Sequence, residues 1–180
     1  MTPTTLSSHR ILFPVADEYE DLEVWYPKLR LESLGARVVL ATPDGKRCHG
    51  KHGYPLEADA ALTDMRSKDF TGIMVPGGWA PDKLRRMQNL LLIIRELDDR
   101  GAMLATICHG PWVFISAKVL RGRRMTSTPG IRDDVENAGA IWRDEPVVVD
   151  GNLITSRRPP DLPAFGEAMA EYLTRQAVAK

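Results

Sequence analysis

Short apolar runs alternate along the chain with segments whose apolar residues recur at helical spacing. The runs that predict strands are RILFPV (10–15), ARVVLAT (36–42), GIMVPGG (72–78), MLATI (103–107) and RRMTS (123–127). The segments that predict helices are residues 20–34, 89–101, 131–139 and the stretch that starts at Asp161. Because strands alternate with helices, the pattern predicts an α/β fold with a mostly parallel central sheet and helices on both faces.

Turn and cap signals add detail to this pattern. Paired glycines in 47–59 and an Asp-Gly-Asn turn in 147–156 predict two hairpins. Asn89 is expected to cap its helix. Pro27 implies a kink in the first helix, whose apolar residues share one face: Leu22, Trp25, Tyr26 and Leu29. The last helix is expected to turn four residues inward: Leu162, Phe165, Met169 and Tyr172.

Composition narrows the range of functions. The 180 residues suit one domain, 1–180, with residues 1–9 as a flexible N-terminus. Lysine plus arginine and aspartate plus glutamate number 24 each, which gives no sign of nucleic-acid or anionic-membrane binding. The longest apolar run, LLLII at 90–94, is too short to span a bilayer. Two cysteines make no disulfide framework, so we expect a cytoplasmic protein.

The most informative segment is MLATICHGP, 103–111, where an apolar strand stops at Cys108 and a helix starts within two residues. This spacing is typical of a nucleophile elbow. Gly110 is expected to relax the backbone, and Pro111 suits an early helical position. The helix start would favour a thiolate. The other interpretation of Cys108 is a small buried apolar side chain.

Several neighbouring residues could assist Cys108. His109 either acts through its side chain or offers only its backbone N–H. Five acids follow the first strand, and an acid near a thiolate would have a raised pKa and could carry a proton; the residues alone do not say which: Asp17, Glu18, Glu20, Asp21 and Glu23. Gly77 and Gly78 offer N–H groups that, with that of His109, could form an oxyanion hole. Asp82 either starts a helix or orients a histidine.

A metal site is a weaker interpretation. Cys48, His49 and His52 are close in sequence, but strand alternation puts the first two on opposite faces and no fourth ligand lies nearby. We therefore expect neither a metal nor a cofactor. Trp79, Trp112 and Trp142 are more typical of core or rim aromatics than of a recognition surface.

The chain resembles the ThiJ/PfpI family, on its PfpI-like intracellular peptidase and deglycase branch. The resemblance covers nearly everything from Ile11 onward and rests on these motifs: ADEYEDLE (16–23), GKHGYP (50–55), VPGGWAPD (75–82), TICHGPW (106–112), LRGRRMTS (120–127), PGIRDDVENAGA (129–140), VVVDGNLITSR (147–157) and PPDL (159–162). It implies a flavodoxin-like three-layer sandwich similar to class I glutamine amidotransferases.

The resemblance also implies roles for particular residues. Cys108 matches the family nucleophile and Glu20 the carboxylate that contacts its sulfur, while Gly78 and the amide of His109 match the oxyanion donors. Asp82 falls where an acid reaches the histidine of a neighbouring subunit, which implies a homodimer or a ring of dimers. The chain departs from archaeal peptidase members at three positions that bear on peptide binding and on the subunit contact: Trp79 for arginine, Thr128 for tyrosine and Asp82 for glutamate.

By this resemblance we expect a stress-protective, cysteine-dependent hydrolase. The main hypothesis is a protein deglycase or glutathione-independent glyoxalase that acts on glyoxal, methylglyoxal and their adducts with proteins or peptides. One alternative is an ATP-independent intracellular cysteine peptidase that uses His109 and Asp82. Another is a non-enzymatic redox sensor or chaperone, because a cysteine beside an acid can be oxidised to a stabilised sulfinate.

Overall fold

The computed structural model describes residues 6–178 of the chain. Its strands are β1 (Arg10–Pro14), β2 (Arg37–Thr42), β3 (Cys48–His49), β4 (Pro55–Leu56), β5 (Ala60–Ala61), β6 (Gly72–Val75), β7 (Met103–Ile107), β8 (Arg124–Met125), β9 (Ile141–Trp142), β10 (Val147–Asp150) and β11 (Leu153–Ser156). Its α-helices are α1 (Asp21–Ser33), α2 (Ala80–Leu84), α3 (Gln88–Asp99), α4 (Pro111–Ala117), α5 (Arg132–Asn137) and α6 (Leu162–Val178). Short 3₁₀ turns occupy Leu62–Asp64, Ser67–Asp69, Pro129–Ile131 and Pro159–Asp161.

The centre of the molecule is a seven-stranded sheet in the order β10-β11-β7-β6-β1-β2-β5. Only the β10–β11 pair of this sheet is antiparallel. Helix α1 packs against α6, and α3 packs against α4. The prediction of a mostly parallel α/β sheet flanked by helices is confirmed. The carboxyl ends of β1, β6 and β7 meet at one edge, where ligands of such folds bind.

The core lies around the central strands. All five residues of β7 and all four of β6 are buried, as expected for parallel strands covered on both faces. The inner face of α6 is also as predicted: Leu162, Phe165 and Met169 are buried, while the hydroxyl of Tyr172 donates to the carbonyl oxygen of Gly101 at 2.7 Å. Burying one large side chain of this kind contributes about 1.5–3 kcal/mol.

Helix α1 reverses the expected orientation of its apolar face. Leu22 and Leu29 are 57% and 60% exposed, whereas Glu23, Val24 and Leu31 are buried. The helix also continues through Pro27. The inner side of α1 therefore carries the carboxyl group of Glu23 toward the edge of the sheet. The side of the helix that carries Leu22 and Leu29 faces outward.

The predicted hairpins are both present, as β3–β4 and β10–β11. Asn89 is not the cap of α3, because the helix already begins at Gln88 and the Asn89 amide donates to the carbonyl oxygen of Leu62 at 2.8 Å. Helix α2 corresponds to one of the two alternatives for Asp82, because this acid lies in the first turn of the helix.

The described chain is packed from its start. Leu6 is buried, its N–H donates to Leu34 at 2.7 Å, and His9 is buried too. Residues 1–5, which belong to the segment expected to be flexible, lie outside the described residues. Within residues 6–178, no helix combines the length and the apolar character needed to cross a membrane.

Candidate active site

Cys108 stands at a strained turn between β7 and α4. Its φ is 60°, a left-handed conformation that residues other than glycine seldom adopt. Its N–H donates to Ser156 at 3.2 Å, and its carbonyl accepts the N–H of Thr128 at 3.2 Å. Pro111 is the first residue of α4. The predicted strand–cysteine–helix turn is therefore present.

Gly110 is needed at this turn for a reason other than the predicted one. Its φ is −52°, which any residue can adopt. A Cβ at Gly110 would instead lie 2.5 Å from the carbonyl oxygen of Val75 and collide with the hydroxyl of Thr106. Glycine is required because space is lacking, not because the backbone must be relaxed.

The backbone N–H groups of Gly78 and His109 lie near enough to the Cys108 sulfur to favour its thiolate and so lower its pKa. They are the donors that the resemblance implied for an oxyanion. Gly78 has a φ of +77°, and a Cβ there would collide with the backbone of the loop after β1. The N–H of Gly77 is not available to a substrate, because it donates to Glu23 Oε2 at 2.8 Å. This corrects the prediction for Gly77.

Glu23 is the acid next to the nucleophile. A Cβ built on Gly77 would lie 2.5 Å from Glu23 Oε2 and 2.7 Å from the Cβ of Cys108. The side chains of Glu23 and Cys108 therefore lie next to each other beside Gly77. Burial raises the pKa of Glu23 to about 8, with the charge of Glu20 as a further contribution. Oε1 is buried and has no hydrogen-bond partner among the described residues. Near neutral pH this carboxyl group is protonated and can donate from Oε1.

Glu20 occupies a different place from the one expected. It precedes the first turn of α1 in an extended conformation, with ψ of 115°. Its carboxylate forms an ion pair with Lys51 and lies 3.7 Å from the imidazole of His52, both in the β3–β4 hairpin. The prediction that Glu20 contacts the sulfur is corrected: Glu23, one helical turn later, takes that position.

The Cys108 thiol is neutral in the resting site. Burial is the main reason that its pKa rises to about 12, and the neighbouring Glu23 charge adds to the effect. These two influences outweigh the N–H donors that favour the thiolate. The expectation that the helix start alone would lower this pKa is therefore not met, and a base is needed at the moment of attack.

His109 can be that base. Its Nδ1 lies 3.3 Å from the Cys108 sulfur, although neighbouring residues on a tight turn need not meet. Burial is the main cause that lowers the pKa of His109, and the positive charge of Lys51 lowers it further. The imidazole is thus neutral near pH 7, and one of its ring nitrogens can accept a proton.

Asp82 lies on α2 and forms an ion pair with Arg86, four residues later. About half of its side chain is exposed. The predicted contact with His109 of a partner subunit involves a second chain and stays a prediction.

Two features of the site were missed from the sequence. Glu23 was among the five acids, and its helical spacing from Pro27 and Leu31 could have placed it on the inner face. The aromatic surroundings of His109 gave no such signal, because Trp79 is far in sequence from both His109 and Trp112, and the fold alone brings it next to them.

The elbow, the buried acid and the two backbone donors agree with the comparisons. The chain matches the model of the DJ-1/PfpI family over residues 9–172. The chain belongs to this family.

Among DJ-1/PfpI relatives, it is 44% identical to Deglycase PfpI of Pyrococcus furiosus over 164 residues, which are 91% of this chain and 99% of the relative. It is 38% identical over 167 residues to YraA of Bacillus subtilis, which carries a cysteine-protease name, covering 92% of this chain and 99% of the relative. The structure of Drosophila melanogaster DJ-1beta superposes with a TM-score of 0.87 at 27% identity, over 92% of this chain and 90% of that one.

Proposed function

We propose that this DJ-1/PfpI protein is a cysteine-dependent deglycase and glyoxalase that converts glyoxal, methylglyoxal and their adducts to hydroxy acids. The observation that carries the proposal is the buried carboxyl group of Glu23, which lies beside the Cys108 side chain and whose pKa is raised to about 8 by burial. Chemistry of this kind must move protons between the oxygen and carbon atoms of a small substrate. The deglycase name of a relative at 44% identity supports the same activity.

The first step is attack by sulfur on the aldehyde carbon. The thiol proton passes to Nδ1 of His109 as the C–S bond forms. The developing oxyanion would be stabilised by the N–H groups of Gly78 and His109, which already face the sulfur. With an amine or guanidine adduct, the C–N bond breaks at this stage and the leaving nitrogen takes a proton. The product is a hemithioacetal on Cys108.

The second step is an internal rearrangement followed by hydrolysis. Glu23 gives its carboxyl proton to the carbonyl oxygen of carbon 2, and the carboxylate so formed removes the proton from carbon 1, the carbon bonded to sulfur, which gives an enediol. Glu23 then delivers this proton to carbon 2 and takes the hydroxyl proton of carbon 1, so that carbon 2 carries an alcohol, carbon 1 is a thioester and Glu23 is protonated again. Carbon 1 is oxidised and carbon 2 is reduced, so no external oxidant is required. Glu23 Oε1 is placed to carry this proton, the role first expected of Glu20. Water then cleaves the thioester and releases lactate from methylglyoxal or glycolate from glyoxal.

A peptidase is the second candidate function. It is favoured by the short distance between the sulfur and the imidazole of His109, which suits a cysteine–histidine pair. In this proposal Asp82 of a partner subunit would orient the imidazole. Within one chain, Asp82 is engaged by Arg86.

We further propose a homo-oligomer in a reducing compartment such as the cytoplasm. The outward apolar face of α1, with Leu22 and Leu29 more than half exposed, supports burial against a second copy. Cys48 and Cys108 are both free, which suits a reducing compartment. Light scattering that gave only a monomer would contradict the assembly.

The deciding experiment compares methylglyoxal consumption with cleavage of fluorogenic peptides by the same preparation. We expect methylglyoxal turnover, no turnover in C108S, and a reduction of about 10²-fold or more in E23Q. E20Q is the matched control, since Glu20 carries the same group three residues away, and it should retain most activity. Full activity of E23Q, or peptide cleavage without carbonyl turnover, would contradict the proposal.

A further inference from the structure

The imidazole of His109 packs against two indole rings. The ring centroids of His109 and Trp79 are 5.2 Å apart, and those of His109 and Trp112 are 5.0 Å apart. The two indoles are themselves 6.4 Å apart. All three distances fall in the range of favourable aromatic pairs. The three centroids form a triangle, so the two indoles contact the imidazole from neighbouring directions and leave the rest of the ring to the sulfur and the solvent.

The two indoles are held differently. Trp112 donates from Nε1 to Asp134 at 2.8 Å, and the guanidinium of Arg85 lies 5.8 Å from its ring centroid. Trp79 is fixed by its backbone, whose N–H donates to Glu18 at 2.8 Å, while 54% of the residue is exposed. The Trp112 side chain is therefore held in place by its neighbours, whereas the Trp79 side chain contacts the imidazole from the solvent side.

An acid usually orients a catalytic histidine, and the candidate acid here is engaged elsewhere. Asp82 forms its ion pair with Arg86. Asp134 faces the indole N–H of Trp112. The ring contacts, by contrast, act on the imidazole directly. The torsion that turns an imidazole ring is broad and roughly two-fold, so an uncovered ring has no strong preference of its own.

We propose that Trp79 is a positioning residue for His109, whose imidazole it holds, together with Trp112, with Nδ1 toward the sulfur. The proposal rests on the proposed function only in giving His109 the part of the base. Exposed Trp79 would otherwise be an apolar side chain at the surface with no contact to the chemistry.

Removing the outer indole has two physical consequences. The imidazole gains water and rotational freedom, so the population with Nδ1 near the sulfur falls. Loss of the cover also weakens the burial that lowers the pKa of His109. Other charged or titratable groups act on His109 from the surrounding elements, and the substitution leaves them in place: Lys51 from the hairpin, Asp134 from α5, Arg85 after α2, and Cys108 with Glu23 beside it.

The experiment uses two readouts that need no substrate. The first is the rate of Cys108 alkylation by iodoacetamide as a function of pH, measured by mass spectrometry on the intact chain. The second is the NMR titration of the His109 ring. The variants are W79A, W79F and D82A, and the matched control is L92A, which removes an apolar side chain of similar exposure, 47%, from α3.

We expect W79A to alkylate about tenfold more slowly near pH 7, the order that one aromatic pair contributes. The pKa of its His109 should rise toward the ordinary value, and the acidic limb of the alkylation profile should move up with it. W79F should restore most of the rate, L92A should match the wild type, and D82A should slow alkylation less than W79A does.

Three results would overturn the proposal. One is an unchanged rate and an unchanged His109 titration in W79A. Another is a W79F variant as slow as W79A. The third is D82A reproducing the effects of W79A, which would assign the orientation to a carboxylate, including one from a partner subunit. A protein that behaves as expected in both readouts but leaves methylglyoxal untouched would refute the proposed function and not the positioning role.

Discussion

The buried acid of the site makes a quantitative prediction about stability. In the folded protein the pKa of Glu23 is about 8 because of burial, against an ordinary value of 4.5. Between these pH values the unfolded chain loses this proton while the folded chain keeps it. The contribution of Glu23 to the free energy of unfolding therefore falls as the pH rises from about 4.5 to about 8, and it changes little above pH 8.

The magnitude follows from the size of the shift. A difference of one pKa unit corresponds to about 1.4 kcal/mol. The rise from 4.5 to about 8 thus corresponds to about 5 kcal/mol of unfolding free energy lost across the interval. The variant E23Q keeps a carbonyl oxygen for the N–H of Gly77 and never ionises. Its stability relative to the wild type should increase by about 5 kcal/mol over the same interval.

Urea unfolding, followed by tryptophan fluorescence at several pH values between about 4.5 and 8.5, measures this difference. The control is E145Q, because Glu145 is exposed and its replacement should leave the pH dependence of the wild type nearly unaltered. Wild-type and E23Q stabilities that run parallel over the whole range, within about 1 kcal/mol, would refute the assignment of a buried protonated acid at Glu23.

The remaining predictions concern reactivity, packing and the surface acid. Cys108 should be alkylated much faster than Cys48, because Cys48 is only 4% exposed, whereas Cys108 is less buried and has the Nδ1 of His109 3.3 Å from its sulfur to take the thiol proton; equal rates in peptide mapping would contradict this. G110A should lose about 1–3 kcal/mol in chemical denaturation, whereas G130A, with open space around its Cβ, should not. D82A should keep most methylglyoxal turnover; loss of both carbonyl and peptide activities with the oligomer intact would reverse our ranking of the two functions.

The central fold and the nucleophile could be predicted because both depend on local signals. β7 is a run of buried apolar residues that ends at Cys108, and Pro111 marks the start of the next helix. Such a pattern can be recognised in the sequence because a parallel strand buried on both faces is almost entirely apolar.

The acid could not be predicted with the same certainty because two candidates lie at the start of α1. The predicted start of α1, at residue 20, is one residue from the observed start, but Glu20 and Glu23 lie three residues apart at the same end of the helix, and the residues alone did not show which of them faces the sulfur. The apolar stripe of α1 was misleading for a related reason. Periodicity shows which residues share a face, but Leu22 and Leu29 gave no indication of which face meets the sheet.

The backbone bonds of Cys108 have a consequence for motion. Its N–H donates to Ser156 and its carbonyl accepts from Thr128, so segments distant in sequence hold the two peptide groups on either side of its Cα. Its amide can exchange with solvent only when the end of β11 separates from β7. Such openings approach the cost of global unfolding in central sheets. We therefore expect the amide of the nucleophile to exchange slowly with solvent, because its strand end is bonded to segments on both sides.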